Sequence, residues 1–232
     1  MKRTLGAIAL ATAITGLLAT SAARADEDGP FMVRLRAVYL DFAQKSDAFV
    51  LPTDTAGNVS IPKDAITLNK KWIPDLDLEY FFTKNFSTEL VLTYPQSQDV
   101  TVNVPALGAV AVGSFKHLPP VLTAKWNFMP DSVFRPYVGV GVNLTLFSKV
   151  DLAVPAVAGV QSTAVPLDLS SSSVGIAGQA GFDVKVADHW FVNADVKYVQ
   201  LSTDVKVKAN GAKLTTVNAD PWLFGVGVGY RF

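Results

Sequence analysis

The last eleven residues of the chain, Trp222–Phe232, alternate strictly between two kinds of side chain. One set is wholly apolar with aromatic residues at both ends, and the other is mostly glycine and ends in Arg231. A period of two residues places the two sets on opposite faces of a β-strand. An apolar face with aromatic residues at both ends is typical of a strand that crosses an outer membrane. An edge strand of a soluble sandwich is the alternative, and the remaining segments decide between them.

The N-terminal residues have the pattern of a secretory signal peptide. Lys2 and Arg3 precede an apolar stretch from Leu5 to Leu18, and Ala23-Arg24-Ala25 supplies a cleavage site with small residues. The apolar stretch is short for a bilayer core of about 30 Å, which argues against a retained membrane anchor. We therefore predict a signal peptide over residues 1–25 and a single mature domain over residues 26–232.

The composition of the mature chain favours a membrane barrel. Half of all residues are hydrophobic and 17% are charged, below the roughly 25% that is usual in soluble domains. No mature segment offers 18 consecutive apolar residues without a charge, as a transmembrane helix requires. Without Lys2, Arg3 and Arg24, 17 basic residues face 20 acidic ones, so no nucleic-acid partner is indicated. The chain has no cysteine, so disulfides cannot hold the exported fold.

Eight segments of the mature chain repeat the two-faced alternation. They lie at 33–39, 72–82, 90–94, 122–128, 138–146, 174–184, 190–198 and 222–232. The connections after the second, fourth and sixth segments are short, and those after the first, third, fifth and seventh are long. We predict an all-β fold, an eight-stranded antiparallel transmembrane β-barrel with short periplasmic turns and long extracellular loops. Its location is the outer membrane of a Gram-negative bacterium.

The charged residues within these segments occupy the polar set of alternating positions, so they should face the lumen. A lysine or arginine facing lipid near the bilayer midplane would cost about 2–4 kcal/mol, whereas inward charges can pair across neighbouring strands. The lumen of an eight-stranded barrel is only wide enough for side chains or one slim ligand. We predict a salt-bridged plug in its periplasmic half, formed by Arg34, Arg36, Asp75, Asp77, Glu79, Glu89, Lys125, Asp183, Lys185, Asp195, Lys197 and Arg231. A filter that selects ions or solutes is the alternative interpretation.

Catalytic and metal-binding motifs are not indicated. Strand alternation already explains the spacing of Asp75, Asp77 and Glu79. His117 and His189 have no histidine partner four residues away and no nearby cysteine, so a metal site is not predicted. We predict a protein that is not an enzyme and has no cofactor. A lipid-modifying enzyme, the alternative, would need a dyad at the lipid-facing mouth, for which His117 is the only candidate.

The predicted extracellular loops are unusually apolar. Residues 100–115 contain many valines and alanines, and no charge lies between Asp151 and Asp168. Exposed apolar surface of this kind marks a binding site; strands that extend above the membrane and pack together are the alternative. Prolines stand where the third and fourth strands leave the membrane. Because proline cannot donate a backbone hydrogen bond to a neighbouring strand, these residues indicate a gap in the wall. The predicted solute-binding residues are Leu107, Phe115, Pro95, Leu118, Pro119, Pro120 and Phe147.

Several short motifs, taken in order along the mature chain, resemble one known family. They are Val33-Arg34, Tyr80-Phe81-Phe82, Leu118-Pro119-Pro120, Phe134-Arg135-Pro136-Tyr137-Val138-Gly139-Val140-Gly141-Val142-Asn143, Gly178-Gln179-Ala180-Gly181-Phe182-Asp183, Trp190-Phe191-Val192-Asn193, Asp220-Pro221-Trp222 and Gly229-Tyr230-Arg231-Phe232. Together they resemble the OmpW family of small outer-membrane proteins, which includes AlkL-type importers of hydrophobic compounds.

The resemblance implies an eight-stranded barrel with a narrow apolar channel that opens outward and takes up small hydrophobic molecules. It also implies that these solutes leave sideways into the membrane. The expected partners are outer-membrane lipid, small hydrophobic solutes and, during insertion, the barrel assembly machinery. The alternative from another class is a non-conducting structural or receptor barrel whose extracellular loops bind a partner. A channel, unlike a receptor, requires a continuous apolar path from the loops to the wall.

Overall fold

The computed structural model describes residues 28–54, 56–105, 107–157 and 162–232, with only the backbone described for Pro52. The predicted signal peptide lies outside the described residues. Within the described ranges, no helix is both long enough and apolar enough to cross a bilayer.

The regular structure of the described residues consists of β-strands. In chain order they are β1 (Phe31–Asp41), β2 (Lys45–Ser46), β3 (Phe49–Pro52), β4 (Asn58–Ile61), β5 (Ile66–Leu68), β6 (Lys71–Phe81), β7 (Phe86–Leu92), β8 (Gln96–Val104), β9 (Gly108–Leu118), β10 (Val121–Asn127), β11 (Phe134–Val154), β12 (Val165–Leu169), β13 (Ser172–Lys185), β14 (Trp190–Val199), β15 (Ser202–Val207), β16 (Lys213–Asn218) and β17 (Trp222–Arg231).

Eight of these strands close into an antiparallel barrel, as predicted. Their order around the wall is β10-β7-β6-β1-β17-β14-β13-β11, and pairing of β11 with β10 completes the ring. The first and last strands are neighbours, with Met32 opposite Arg231 and Asp41 opposite Trp222. Both described termini therefore lie at the same, periplasmic, end of the barrel.

The outward face of the wall is apolar between two bands of aromatic rings. Val174 is 74% exposed and is one of many outward aliphatic side chains. At the extracellular end, the rings of Tyr39 and Trp72 lie 5.3 Å apart. At the periplasmic end, the rings of Trp190 and Tyr230 lie 5.1 Å apart. This surface matches a lipid-facing band flanked by aromatic girdles.

Most of the long connections continue the wall above the extracellular girdle as further strands. β9 pairs with the upper part of β11, β8 pairs with β9, and β5 pairs with β8. On the other side, β11 pairs with β12, followed by β15, β16 and β2. The hairpin β3–β4 forms a separate two-stranded sheet. The fifth predicted strand is accordingly longer than expected, since β11 runs from Phe134 to Val154.

Glycine at position 141 allows β11 to approach β10 closely. A Cβ atom placed on Gly141 would overlap the carbonyl oxygen of Leu122 and lie 2.8 Å from Cα of Thr123. Both neighbours are backbone atoms of the paired strand, so no side-chain rotation can relieve the overlap. Gly178 on β13 has no atom within 4 Å of the same position.

Gly141→Ala should therefore separate two wall strands, whereas Gly178→Ala should be tolerated. We expect the first substitution to lower the free energy of unfolding by about 1–3 kcal/mol, the usual cost of overpacking. The second should leave it unchanged or raise it by about 0.4–1 kcal/mol, because alanine has less freedom in the unfolded chain. Urea unfolding in lipid vesicles, followed by tryptophan fluorescence, measures both. Equal losses in the two variants would contradict the close approach of β10 and β11.

Candidate functional site

Arg34 stands at the centre of the charged side chains in the lumen. Its Nη2 lies 2.7 Å from Oδ2 of Asp183, and its Nη1 lies 3.3 Å from Oδ2 of Asp77 and also contacts Glu79. All four side chains are buried. One guanidinium therefore joins carboxylates from β6 and from β13 across the lumen, which its planar set of donors makes possible.

The remaining pairs extend this cluster across the barrel. Arg36 binds Asp75 at 2.9 Å and Asp195 at 3.1 Å. Lys125 and Lys197 both bind Glu89, at 3.0 Å and 2.8 Å. Shared partners connect ten side chains into one group, which we call the plug network: Arg34, Arg36, Asp75, Asp77, Glu79, Glu89, Lys125, Asp183, Asp195 and Lys197.

The two other residues predicted for the plug lie apart from this network. Lys185 Nζ lies 2.6 Å from Oδ1 of Asp28, whose Oδ2 is 2.8 Å from Nη2 of Arg135. Arg231 donates a hydrogen bond from Nε to the carbonyl of Gly29 at 2.7 Å. These contacts form a second polar layer at the periplasmic end. The sequence interpretation did not include Asp28 and Arg135 in the plug, because Asp28 precedes the first predicted segment and Arg135 precedes the predicted start of the fifth.

The pKa of Asp28 reflects two opposed effects. Burial of the carboxylate raises its pKa, but hydrogen bonds from Lys185 and Arg135 outweigh burial and hold the pKa below its ordinary value. Asp28 precedes the first wall strand, so it lies outside the membrane-spanning segments.

Above the plug network, the strands enclose an apolar cavity that we call the upper cavity. Its empty volume, including the part open to solvent, is about 960 Å³. Phe115 and Phe147 line it, with ring centroids 5.7 Å apart. Leu51 of the separate hairpin also lines it from the extracellular side. The lining contains no aspartate, glutamate, lysine or arginine among the described residues.

A second cavity, the lower cavity, lies between the upper cavity and the plug network. Its empty volume on the same measure is about 620 Å³. Apolar residues such as Val38 and Leu40 form part of its lining, and Arg36 and Asp75 of the plug network form another part. His117 lines both cavities and therefore marks where they meet. Two adjoining cavities with largely apolar linings thus lie between the extracellular hairpin and the plug network.

The wall is interrupted beside the lower cavity. The ladder between β7 and β10 ends at Val91 and Val121, and the ladder between β8 and β9 begins at Gln96 and His117. The backbone segments between these two pairs form no ladder with each other in the described part of the chain. We call this place the wall interruption.

Prolines account for the wall interruption, because they cannot donate a backbone hydrogen bond. Pro95 lies on one side of it, and Pro119 and Pro120 lie on the other. Thr93 and Pro119 line the lower cavity, so the interruption lies directly beside that cavity. Thr93 also donates a hydrogen bond from Oγ1 to the carbonyl of Pro74 at 2.9 Å. The sequence interpretation did not single out Thr93 or Pro74.

The residues predicted to bind solute occupy four places. Phe115 and Phe147 line the upper cavity, and Pro119 lines the lower one. Pro95, Leu118 and Pro120 lie at the wall interruption. Leu107 is exposed at the turn between β8 and β9 and lines neither cavity. Their roles in binding stay predictions.

Comparisons with known proteins agree with this architecture. A sequence model of the OmpW family matches residues 27–232. Outer membrane protein W of Vibrio cholerae is 33% identical over 236 residues, which cover 100% of both chains. The crystal structure of the outer membrane protein OprG from Pseudomonas aeruginosa is similar with a TM-score of 0.69 and 27% identity, over 88% of this chain and 96% of that one. The solid-state NMR structure of outer membrane protein AlkL, at 21% identity, shares the fold with a TM-score of 0.64 over 92% and 94%.

Replacement of Arg34 by methionine should strongly destabilise the barrel. The substitution leaves three buried carboxylates without their shared cation, and removal of one partner of a buried pair typically costs about 3–5 kcal/mol. Lys213→Met is the control, because the Lys213–Asp204 pair is largely exposed and should contribute less than about 1 kcal/mol. Urea unfolding in vesicles compares the two. A loss below about 1 kcal/mol for Arg34→Met would show that the network is dispensable for stability.

Asp28→Asn should destabilise the protein at neutral pH and much less in acid. The pKa of Asp28 is lowered by folding, so its contribution is present above the unfolded-state pKa of about 3.9 and disappears as the pH falls. We expect a loss of about 1–2 kcal/mol at pH 7 that shrinks below about pH 4. Asp131→Asn, which removes an exposed pair with Lys84 at the same end, is the control. A loss that persists unchanged at pH 3 would contradict the assignment.

Proposed function

Because the chain belongs to the OmpW family, we propose that this outer-membrane β-barrel of a Gram-negative bacterium is a channel for passive uptake of small hydrophobic molecules. The solute enters the upper cavity from outside, passes into the lower cavity and leaves sideways at the wall interruption. One observation carries the proposal. Two adjoining, largely apolar cavities lie between the extracellular hairpin and the wall interruption, while ion pairs fill the lumen below.

Entry is favourable for apolar solutes. Burial of apolar surface gains about 25 cal/mol for each Å² removed from water, and the lining of Phe115, Phe147 and their aliphatic neighbours provides such surface. A strongly polar solute would lose its hydrogen bonds to water and find few replacements there, which costs several kcal/mol. The upper cavity therefore favours hydrophobic solutes over sugars or ions.

The plug network makes the periplasmic route unfavourable for the same solutes. An apolar molecule that moved down the lumen would have to separate buried pairs such as Arg34–Asp183 and Lys125–Glu89. Separation of these charges in the barrel interior costs far more free energy than burial of an apolar solute returns. A sideways exit meets lipid, in which the solute dissolves.

The wall interruption is suited to such an exit. Pro95, Pro119 and Pro120 have no backbone N–H, so opening the wall here exposes fewer unpaired donors to lipid than elsewhere. Thr93 hydrogen-bonds to the Pro74 carbonyl beside the opening and satisfies one acceptor without a ladder.

Uptake by cells tests the proposal. Cells with and without the protein are given a small labelled hydrocarbon and, separately, a small labelled polar solute. We expect faster entry of the hydrocarbon alone. Faster entry of the polar solute would make the lumen charges a filter and overturn the proposal. No change in either rate would favour the non-conducting receptor barrel.

Two neighbouring residues of β3 supply a sharper test of the entry route. Leu51 lines the upper cavity, whereas Val50 is 51% exposed and lines neither cavity. We expect Leu51→Asp to slow hydrocarbon uptake several-fold, because it places a charge in an apolar lining. Val50→Asp should not change uptake, although it adds the same charge one residue away. Both lie in the separate hairpin, so the barrel should fold in either variant. Equal uptake by both variants would mean that solutes do not pass this hairpin.

A further inference from the structure

The apolar path contains a polar element where the two cavities meet. His117 is 3% exposed and lines both cavities, and Thr145 is fully buried and lines the lower one. Gln98 is also fully buried, with its Nε2 atom 3.4 Å from Nε2 of His117. Two polar side chains, His117 and Thr145, therefore interrupt a route that is otherwise suited to hydrocarbon, and Gln98 lies beside His117.

These side chains retain unused hydrogen-bonding capacity. Among the described residues, Nδ1 of His117, Oγ1 of Thr145 and Oε1 of Gln98 have no hydrogen-bond partner. The rings nearest to His117 are those of Phe115 and Phe42, at centroid distances of 6.0 Å and 6.3 Å, and these offer no conventional partner. A buried polar atom without a partner is unfavourable, so phenylalanine and valine would suit a route for plain hydrocarbon better.

The chemistry of the unpaired atoms defines what can satisfy them. A neutral imidazole has one nitrogen that donates and one that accepts, and a threonine hydroxyl can do both. Thr145 lies two residues from Phe147, the residue opposite His117 in the ladder between β9 and β11. A ligand hydroxyl also donates and accepts, so its chemistry matches both side chains. The plug network below contains six carboxylates and four cations, which disfavours an anionic group at this depth.

We propose that the channel selects hydrophobic solutes that carry one uncharged hydroxyl group, of the kind found in medium-chain primary alcohols. The hydroxyl binds between His117 and Thr145, and the apolar chain occupies the upper cavity beside Phe115 and Phe147. This inference rests on the proposed function and specifies its substrate class.

The histidine content of the chain allows a direct binding test. The protein has two histidines, and His189 lies in the periplasmic turn before β14, far along the chain from His117. In nanodiscs, the imidazole ¹⁵N resonances can be assigned with the variant His189→Gln. We expect a medium-chain primary alcohol to shift the His117 resonance, and the alkane of equal length to leave it nearly unchanged. Equal shifts with both compounds, or none with the alcohol, would overturn the inference.

Uptake measurements then separate this inference from the proposed function. Thr145→Val keeps the side-chain shape and His117→Phe keeps an aromatic ring, so at least one should fold. We expect each variant to lower the ratio of alcohol to alkane uptake about fivefold, the value of one hydrogen bond. An unchanged ratio, whatever the rate of alkane uptake, would overturn only the hydroxyl specificity. An alcohol-induced shift without protein-dependent uptake of either compound would overturn the channel.

Discussion

Every backbone N–H and C=O group within the hydrocarbon must find a partner in the protein, and the structure depends on this requirement. Pairing of β10 with β11 closes the ring and leaves no open edge in the membrane. Closure also imposes the period of two residues on every wall strand, because each strand then has one lipid face and one lumen face. Apolar side chains take the first face, and the charges of the plug network can only take the second.

This division determines which routes remain for a solute. The ion pairs around Arg34 fill the lumen in the lower barrel, while apolar side chains from β3, β8, β9 and β11 surround the space above. Between these regions, the ladder is missing at the point where Pro119 and Pro120 have no N–H to pair. The missing ladder beside the lower cavity therefore follows from the lack of a backbone donor in proline, whereas side-chain ion pairs close the lumen below.

Local patterns predicted the wall strands, because the alternation at Trp222–Phe232 and its seven counterparts is visible within a few residues. The partners in the plug network were not predictable individually: Arg34 and Asp183 are 149 residues apart and meet through barrel register. For the apolar connections, the sequence left open both exposed binding loops and strands that extend above the membrane, and the structure shows such strands. Composition does not reveal which side of such a strand faces a cavity. Leu107 shows this limit, because it belongs to the apolar segment 100–115 but lies at an exposed turn.

His117 shows a different limit of sequence reasoning. Among the described residues no cluster of metal-ligating side chains includes it, and its position between two cavities could not be predicted from the sequence. Apolar walls alone discriminate weakly between solutes of similar size, because each methylene gains about 0.8 kcal/mol wherever it is buried. Buried polar atoms that lack partners discriminate more strongly, since a solute without the matching group leaves them unpaired. A channel built from apolar surface therefore needs a feature such as His117 and Thr145 to distinguish one hydrophobic molecule from another.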